Sequence, residues 1–95
     1  MLTSKQRAKL RSLANHYDTV LTIGKDGITP TVTLSLDEAL TARELVKCRV
    51  LETAGVTARE AAGALADETG SDVVQVIGTR FVLYRRNREK PVIAV

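Results

Sequence analysis

The sequence predicts an α/β fold, with helices in a two-layer arrangement against one four-stranded mixed sheet, in the order α-β-α-β-α-β-β. Three observations predict it. Segments of helical periodicity alternate with short apolar segments, two helical segments begin with capping-box spacing, and the last two apolar segments flank a tight turn. Two β-α-β connections call for parallel strands, and the terminal hairpin adds an antiparallel one. The 95 residues suffice for a single domain, 1–95, with one modest core.

The first helix is predicted to begin near Ser4, because Thr3 and Gln6 have the spacing of a capping box. The apolar residues of its buried face recur at helical spacing: Leu10, Leu13, Ala14 and Tyr17. Basic residues lie in pairs on its two flanks: Lys5 with Lys9, and Arg7 with Arg11. The helix is therefore expected to present a basic surface to water.

The first strand is predicted at residues 19–23, and a turn with two glycines connects it to the second helix. That helix is expected to begin after Thr29, with Pro30 at its first position, where a proline costs no hydrogen bond. Its buried face is expected to carry Val32, Leu36, Ala39 and Leu40. The turn thus lies between the end of a strand and the start of a helix.

Residues 44–52 alternate in the manner of a half-buried second strand. The side that faces the core is expected to carry Val46, Cys48 and Val50. The opposite side is expected to carry Leu45, Lys47, Arg49 and Leu51. Two positive charges therefore lie on the side away from the better core.

The third helix is predicted from a second capping box, Thr57 with Glu60, and Gly70 suits its end. Its inward residues are small and favour close packing on a sheet: Ala58, Ala61, Ala62, Leu65 and Ala66. Segments 73–77 and 81–85 read as a hairpin around a Gly-Thr turn. Residues 87–95 form a basic tail with a proline, which we expect to be loosely held.

The turn Gly24-Lys25-Asp26-Gly27 is the candidate functional site. Glycine adopts a positive φ without a Cβ clash, so flanking glycines let the backbone turn sharply and expose N–H groups. The start of the next helix adds unpaired N–H groups and a partial positive charge, and Lys25 adds a full charge. The same G-x-x-G device clamps nucleic-acid backbones in KH domains. By itself, such a turn is more often a plain connection between a strand and a helix.

The net charge of +3 is unevenly distributed along the chain. Residues 1–25 hold five basic residues and one acidic residue, and residues 80–90 hold the same numbers. Residues 26–79 hold four basic and nine acidic residues. Basic segments at both ends favour a polyanionic partner if the fold brings them together. The alternative is that these charges only solvate the surface.

The sequence offers no constellation for catalysis, so we expect a non-enzymatic protein without metal or cofactor. His16 is the only histidine, near the end of a helix, where a capping or surface role is expected. Cys48 is expected to be buried and inert, and one Cys with one His cannot complete a four-ligand zinc site. A single cysteine fits a reducing cytoplasm. No apolar segment reaches the ~20 residues of a membrane span.

Several motifs in this order resemble the chloroplast RNA splicing and ribosome maturation (CRM) domain, in its single-domain bacterial form, the YhbY-like RNA-binding proteins. The matching residues are Leu2-Thr3, Lys5-Gln6-Arg7, Ile23-Gly24-Lys25-Asp26-Gly27-Ile28-Thr29-Pro30, Ala39-Leu40, Glu44-Leu45-Val46-Lys47, Val74-Gln75-Val76-Ile77-Gly78 and Leu83-Tyr84-Arg85. The resemblance implies a fold like the C-terminal domain of translation initiation factor 3, with strand order 1-2-4-3 and an antiparallel last strand. It also implies binding to RNA in precursors of the large ribosomal subunit.

The residues and the resemblance together predict a monomeric cytoplasmic protein that binds ribosomal RNA. The expected contacts are Gly24, Lys25, Asp26, Gly27, Lys5, Arg7, Lys9, Arg11, Arg85, Arg86 and Arg88. Lys47 and Arg49 are weaker candidates, because solvated strand residues would look the same. The alternative is a protein-interaction module that uses a sheet edge or the tail 91–95.

Overall fold

The computed structural model describes residues 2–94 and has the predicted order of elements. The helices are α1 (Ser4–Ala14), α2 (Pro30–Arg43) and α3 (Ala58–Thr69), and the strands are β1 (Leu21–Ile23), β2 (Leu45–Val50), β3 (Asp72–Ile77) and β4 (Arg80–Tyr84). A 3-10 helix at Glu52–Ala54, absent from the prediction, lies between β2 and α3.

The local signals in the sequence act as expected. Both capping boxes are present: the Oγ1 atoms of Thr3 and Thr57 accept the N–H groups of Gln6 and Glu60, whose side chains accept the threonine N–H groups in return. Thr29 caps α2 through its side chain, with Pro30 inside the first turn. Gly70 ends α3 in the left-handed conformation, at φ 65°. Helix boundaries are therefore set by local chemistry that is visible in the sequence.

The sheet order is β1-β2-β4-β3. Strands β1 and β2 are parallel, whereas β4 runs antiparallel to both β2 and β3. This arrangement confirms the mixed sheet and the strand order that the resemblance implies. The carboxyl ends of β1, β2 and β3 consequently meet at one edge of the sheet, where the glycine turn follows β1.

Helices cover both faces of the sheet. Helices α2 and α3 cover one face and form the main core, with Leu36, Leu65 and Phe81 fully or almost fully buried. Helix α1 covers part of the other face, where Leu10 packs into a second cluster with Leu45. The expected two-layer arrangement consists of the sheet and the layer of α2 and α3, and α1 forms a third layer on the other face. This third layer forms because Leu45 is apolar and fully buried beneath α1, on the side of β2 that the sequence suggested was away from the core.

Differences from prediction concentrate at the ends of elements. Helix α1 ends at Ala14, and Tyr17, expected on its buried face, lies outside the helix with 36% of its surface exposed. Strand β1 spans only Leu21–Ile23, because residues 18–20 belong to the connection from α1. The side chain of Lys47 is half-buried, and its Nζ donates to the carbonyl oxygen of Ala14 at 3.4 Å.

Strand β3 contains a bulge that the sequence did not predict. Val73 lies opposite Leu83, but Gln75 lies opposite Val82, so Val74 is an additional residue in the ladder. Such a bulge changes which face of the sheet the following side chains occupy.

A buried carboxylate holds the C-terminal segment against the domain. Glu44 is fully buried and adopts a positive φ of 66° between α2 and β2. Its oxygens accept the backbone N–H groups of Asn87 at 2.6 Å and of Val92 and Ile93 at 2.7 Å. Burial disfavours the charged form, but these donors hold the pKa of Glu44 below its ordinary value. The segment expected to be loosely held thus makes three backbone hydrogen bonds to Glu44.

Candidate nucleic-acid interface

The glycine turn is a tight, hydrogen-bonded turn at the edge of the sheet. The N–H of Gly27 donates to the carbonyl oxygen of Gly24 at 2.9 Å. Gly27 has a φ of 68°, in the left-handed region that favours glycine, as the sequence predicted for this turn. Gly24 does not adopt a positive φ. Lys25 and Asp26 at the tip are exposed. The turn therefore presents one positive and one negative side chain to solvent.

Gly27 is restricted by its neighbour as well as by its φ. A Cβ atom at this position would lie 3.2 Å from the carbonyl oxygen of Ala54, in the 3-10 helix. No residue with a side chain fits there without a shift of one of the two backbones. The glycine at this position consequently has a packing role that exists independently of any ligand.

The start of α2 offers fewer free N–H groups than the sequence suggested. Pro30 has none, the N–H of Val32 donates to Thr29 Oγ1 at 3.2 Å, and that of Thr33 donates to the Thr29 carbonyl. The N–H of Gly27 is also used within the turn. A phosphate at this edge would therefore depend mainly on Lys25 and on the helix dipole rather than on a cradle of N–H groups.

Helix α1 provides the densest positive charge. Its eleven residues include four basic side chains and no acidic one. All four are exposed: Lys5, Arg7, Lys9 and Arg11. Because Leu10 and Ala14 fix the buried side of the helix, the two basic pairs flank that side and are exposed to solvent.

Three further basic residues lie on the same face of the sheet, under and beyond the end of α1. Lys47 lies opposite Val82, which packs beneath α1, so Lys47, Arg49 and Arg80 share the α1 side of the sheet. Arg49 lies directly opposite Arg80, with Thr22 as its neighbour on β1. We call the exposed and half-buried residues of this area the sheet patch: Thr22, Lys47, Arg49, Gln75, Ile77 and Arg80.

From the sequence, Lys47 and Arg49 were the weaker candidates, and Arg80 was not among the predicted contacts. Arg80 is the first residue after the hairpin turn in the sequence. This position indicates that it pairs with Arg49 only once the antiparallel β2–β4 register is known. The sequence did not reveal that register, because strands β2 and β4 are separated by α3 and β3.

The C-terminal arginines divide into two groups. Arg85 faces α2 and α3, where it forms an ion pair with Asp37 and donates to the carbonyl of Thr69 at 2.8 Å and to Thr41 Oγ1 at 2.9 Å. Arg86 and Arg88 are exposed. Arg85 thus holds β4 to the two helices, whereas Arg86 and Arg88 extend from the end of β4 into solvent.

The α1 side of the sheet joins most of these basic residues into one surface. Near the start of α1, Leu2 and Gln6 line a groove with Arg86. At the other end, Ala14 and Asn15 border the sheet patch. The expected contacts on α1 and at Arg86 therefore lie on one side of the molecule with the sheet patch, and the glycine turn lies at its edge.

The single cysteine and the single histidine lie in different surroundings. Cys48 is fully buried on the core side of β2, as predicted, and burial raises the pKa of its thiol to about 12. Within residues 2–94, no three His, Cys, Asp or Glu side chains are grouped so as to hold a metal ion. His16 is exposed beyond the end of α1. None of the helices in the described part of the chain has the length and apolar character to cross a membrane.

Comparison with known proteins places this geometry in a family. The chain is 39% identical over 89 residues to "Probable RNA-binding protein YqeI" of Bacillus subtilis, which covers 94% of this chain and 93% of that protein. It is 35% identical to a protein of Haemophilus influenzae named "RNA-binding protein", over 93% of this chain and 89% of that one. The solution structure of SAV1595 from Staphylococcus aureus matches with a TM-score of 0.83 and 41% identity, over 100% of this chain and 99% of the other.

The matches to the relatives and to the solved structure span nearly the whole chain, not an isolated motif. The family described as CRS1 / YhbY (CRM) domain matches residues 2–85, which include every helix and strand and the glycine turn. The residues that the sequence analysis matched to this family also fall within that range. The chain therefore belongs to the CRS1/YhbY (CRM) domain family.

Proposed function

We propose that this protein binds RNA through the α1 side of its sheet, without catalysing a reaction. The observation that carries the proposal is the distribution of charge on α1, which has four exposed basic side chains and no acidic one. A surface of this kind attracts a polyanion and contacts its phosphates. The names of the relatives support RNA as that polyanion.

The proposed contacts follow from what the side chains do in the fold. The flanks of α1 and the exposed Arg86 bind phosphates along one side, and Lys25 extends the surface at the glycine turn. The exposed Arg88 adds a positive charge beside the groove at the ends of α2 and α3. Asp26 contributes a negative charge beside Lys25, which limits the attraction of the turn. We leave Arg85 out of the contacts, because Asp37 and Thr69 already engage its guanidinium group.

We further propose that the RNA is ribosomal and that binding occurs on precursors of the large ribosomal subunit. This step rests on the resemblance to YhbY-like proteins and on family membership. The same proposal places the protein in the cytoplasm, where these particles are assembled, and has it act as a monomer with one RNA surface.

Crosslinking in cells, followed by sequencing of the bound RNA, tests this proposal. We expect the recovered RNA to be ribosomal and the protein to cosediment with large-subunit precursors until nuclease releases it. A parallel sample of the variant Lys5→Ala/Lys9→Ala/Arg11→Ala should recover much less RNA. Cosedimentation that persists after complete nuclease digestion would instead indicate attachment through protein contacts.

A further inference from the structure

A small recess lies on the sheet patch, just beyond the end of α1. Its volume is about 180 Å³. Its polar lining comes from three elements and the end of α1: Asn15, Lys47, Gln75 and Arg80. The remaining lining is mainly apolar: Ala14, Ile77, Phe81 and Val82. A volume of this size corresponds to about six liquid water molecules at ~30 Å³ each, which leaves room for a small planar group.

The bulge in β3 is what directs Gln75 and Ile77 into this area. In a regular strand, Gln75 would lie on the same face as Val73, which packs against the main core. Because Val74 is an additional residue in the ladder, Gln75 instead shares a face with Val82 and lies on the α1 side. Ile77 moves with it and is left 63% exposed. Bulges that re-aim side chains are frequent beside functional sites.

The polar side chains in the recess match the edge of a nucleobase. The amides of Gln75 and Asn15 each offer donors and an acceptor, so they can pair with the mixed donor and acceptor edge of a base. Proteins read RNA sequence mainly at unpaired bases, whose Watson–Crick edges are accessible. An apolar floor at Val82 and the exposed side chain of Ile77 suit the faces of such a ring.

The charged residues around the recess suit the phosphates next to that base. Arg80 and Arg49 are exposed, and the one ion pair within the described residues involves neither of them. Lys47 Nζ donates to the carbonyls of Ala14 and Tyr17 at 3.4 Å, which uses two of its three N–H groups. The recess therefore combines an apolar floor, two amides and free cationic donors, with no acidic side chain in its lining.

We propose that this recess receives one unpaired nucleobase of the bound RNA, with its edge hydrogen-bonded to Gln75 and Asn15 and its neighbouring phosphates on Arg80 and Arg49. The inference rests on the proposed function and adds a base-specific contact to it. Residues of α1 then supply affinity that does not depend on sequence, whereas the recess supplies selectivity for one base in a single-stranded segment.

The experiment uses hairpin RNAs with a randomised loop, selected for binding to the full chain and then sequenced. We expect the parent protein to enrich one base at one loop position. The variant Gln75→Ala should lose this enrichment. It should bind the selected hairpin about tenfold more weakly, because the hydrogen bonds between the Gln75 amide and the base edge are lost. It should bind a fully paired duplex as the parent does. Arg80→Ala should weaken binding to all hairpins without a change in the enriched base.

Asn15→Ala provides a second variant at an exposed position outside the strands, should Gln75→Ala fail to fold. Ser35→Ala on the exposed side of α2 is the matched control and should behave like the parent. Enrichment of the same loops by the parent and by both recess variants would overturn the recess proposal while RNA binding stands. RNA binding with no base preference in the parent would overturn it as well. A parent protein that binds no RNA would overturn both proposals.

Discussion

Arg49 and Arg80 lie directly opposite one another on β2 and β4, both exposed and on the same face of the sheet. Two like charges in directly opposed positions of an antiparallel pair destabilise a sheet. The only ion pair within residues 2–94, between Arg85 and Asp37, leaves both arginines without an acidic partner. The arrangement is unfavourable in the free protein, and a polyanion over the sheet patch would neutralise the repulsion.

This relationship predicts opposite effects of one substitution on stability and on binding. Arg49→Thr removes the repulsion and places a good strand former in β2, so we expect the fold to gain about 0.2–1 kcal/mol. The same variant should bind structured RNA more weakly, because one phosphate contact is lost. Thermal unfolding and fluorescence anisotropy measure the two effects. Arg59→Ala, on the exposed side of α3, should leave RNA affinity unchanged.

Binding through α1 should depend steeply on salt. Each phosphate neutralised by a basic side chain contributes a slope of ~0.7–0.9 in log affinity against log salt concentration. The variant Lys5→Ala/Lys9→Ala/Arg11→Ala should therefore have a much shallower slope than the parent. Its melting temperature should change little, because the three side chains are exposed. A slope equal to that of the parent would remove α1 from the binding surface.

Acid should loosen the C-terminal segment through Glu44. The pKa of this buried carboxyl is below its ordinary value, so its contribution to stability is complete above the unfolded value of 4.5 and is lost as the pH falls through the folded pKa. We expect the amides of Val92 and Ile93 to lose protection from hydrogen exchange in that acidic range. Other carboxylates titrate there too, so the comparison needs a variant at Glu44 itself.

Glu44→Gln provides that comparison. It keeps one acceptor oxygen but replaces the other with an NH₂ group that cannot accept the N–H of Asn87. We expect a loss of about 1.5–3 kcal/mol at neutral pH, as for hydrogen bonds to charged groups. The melting temperatures of the variant and the parent should then converge on acidification. A constant difference between them from pH 7 to below the folded pKa would contradict the assignment to Glu44.

The sequence predicted those parts of the fold that depend on local chemistry. Capping boxes at Thr3 and Thr57, the proline start of α2 and the positive φ of Gly27 all follow from a few neighbouring residues. Burial of Cys48 followed from alternation within one strand. These features require no knowledge of distant contacts, which is why a single sequence was sufficient.

Features that depend on distant pairing were missed. The place of α1 on the second face, the bulge at Val74 and the opposition of Arg49 to Arg80 depend on the pairing register and the packing of segments that are distant in the sequence. Arg85 illustrates the same limit of prediction from sequence. Its charge alone predicts a phosphate contact, and only the structure shows that Asp37 and Thr69 engage its guanidinium group. The sequence therefore predicts the candidate site as a set of charged residues, whereas their arrangement as a surface is visible only in the structure.

The glycine turn allows its structural role and its RNA contact to be separated. Gly27 has a positive φ, and an added Cβ would lie 3.2 Å from the Ala54 carbonyl oxygen. Gly27→Ala should therefore destabilise the fold by roughly 1–2 kcal/mol, the cost of a left-handed conformation for a residue with a Cβ. Lys25→Ala should leave stability unchanged, because that side chain is exposed.

Gly27→Asp and Gly27→Asn form the decisive pair, because the two side chains have the same shape and differ in charge. Both residues tolerate positive φ better than alanine does, so their melting temperatures should be similar to each other. If phosphate lies at the turn, Gly27→Asp should bind RNA more weakly than Gly27→Asn. Lys25→Ala should then lose about 1 kcal/mol of binding free energy. This loss is smaller than that of a desolvated hydrogen bond to a charged group, because solvent competes at the exposed turn. Association with large-subunit precursors and the affinity for structured RNA measure both effects. Equal binding by the Asp and Asn variants, together with parental binding by Lys25→Ala, would leave the turn with its packing role alone and assign the RNA contacts to α1 and the sheet patch.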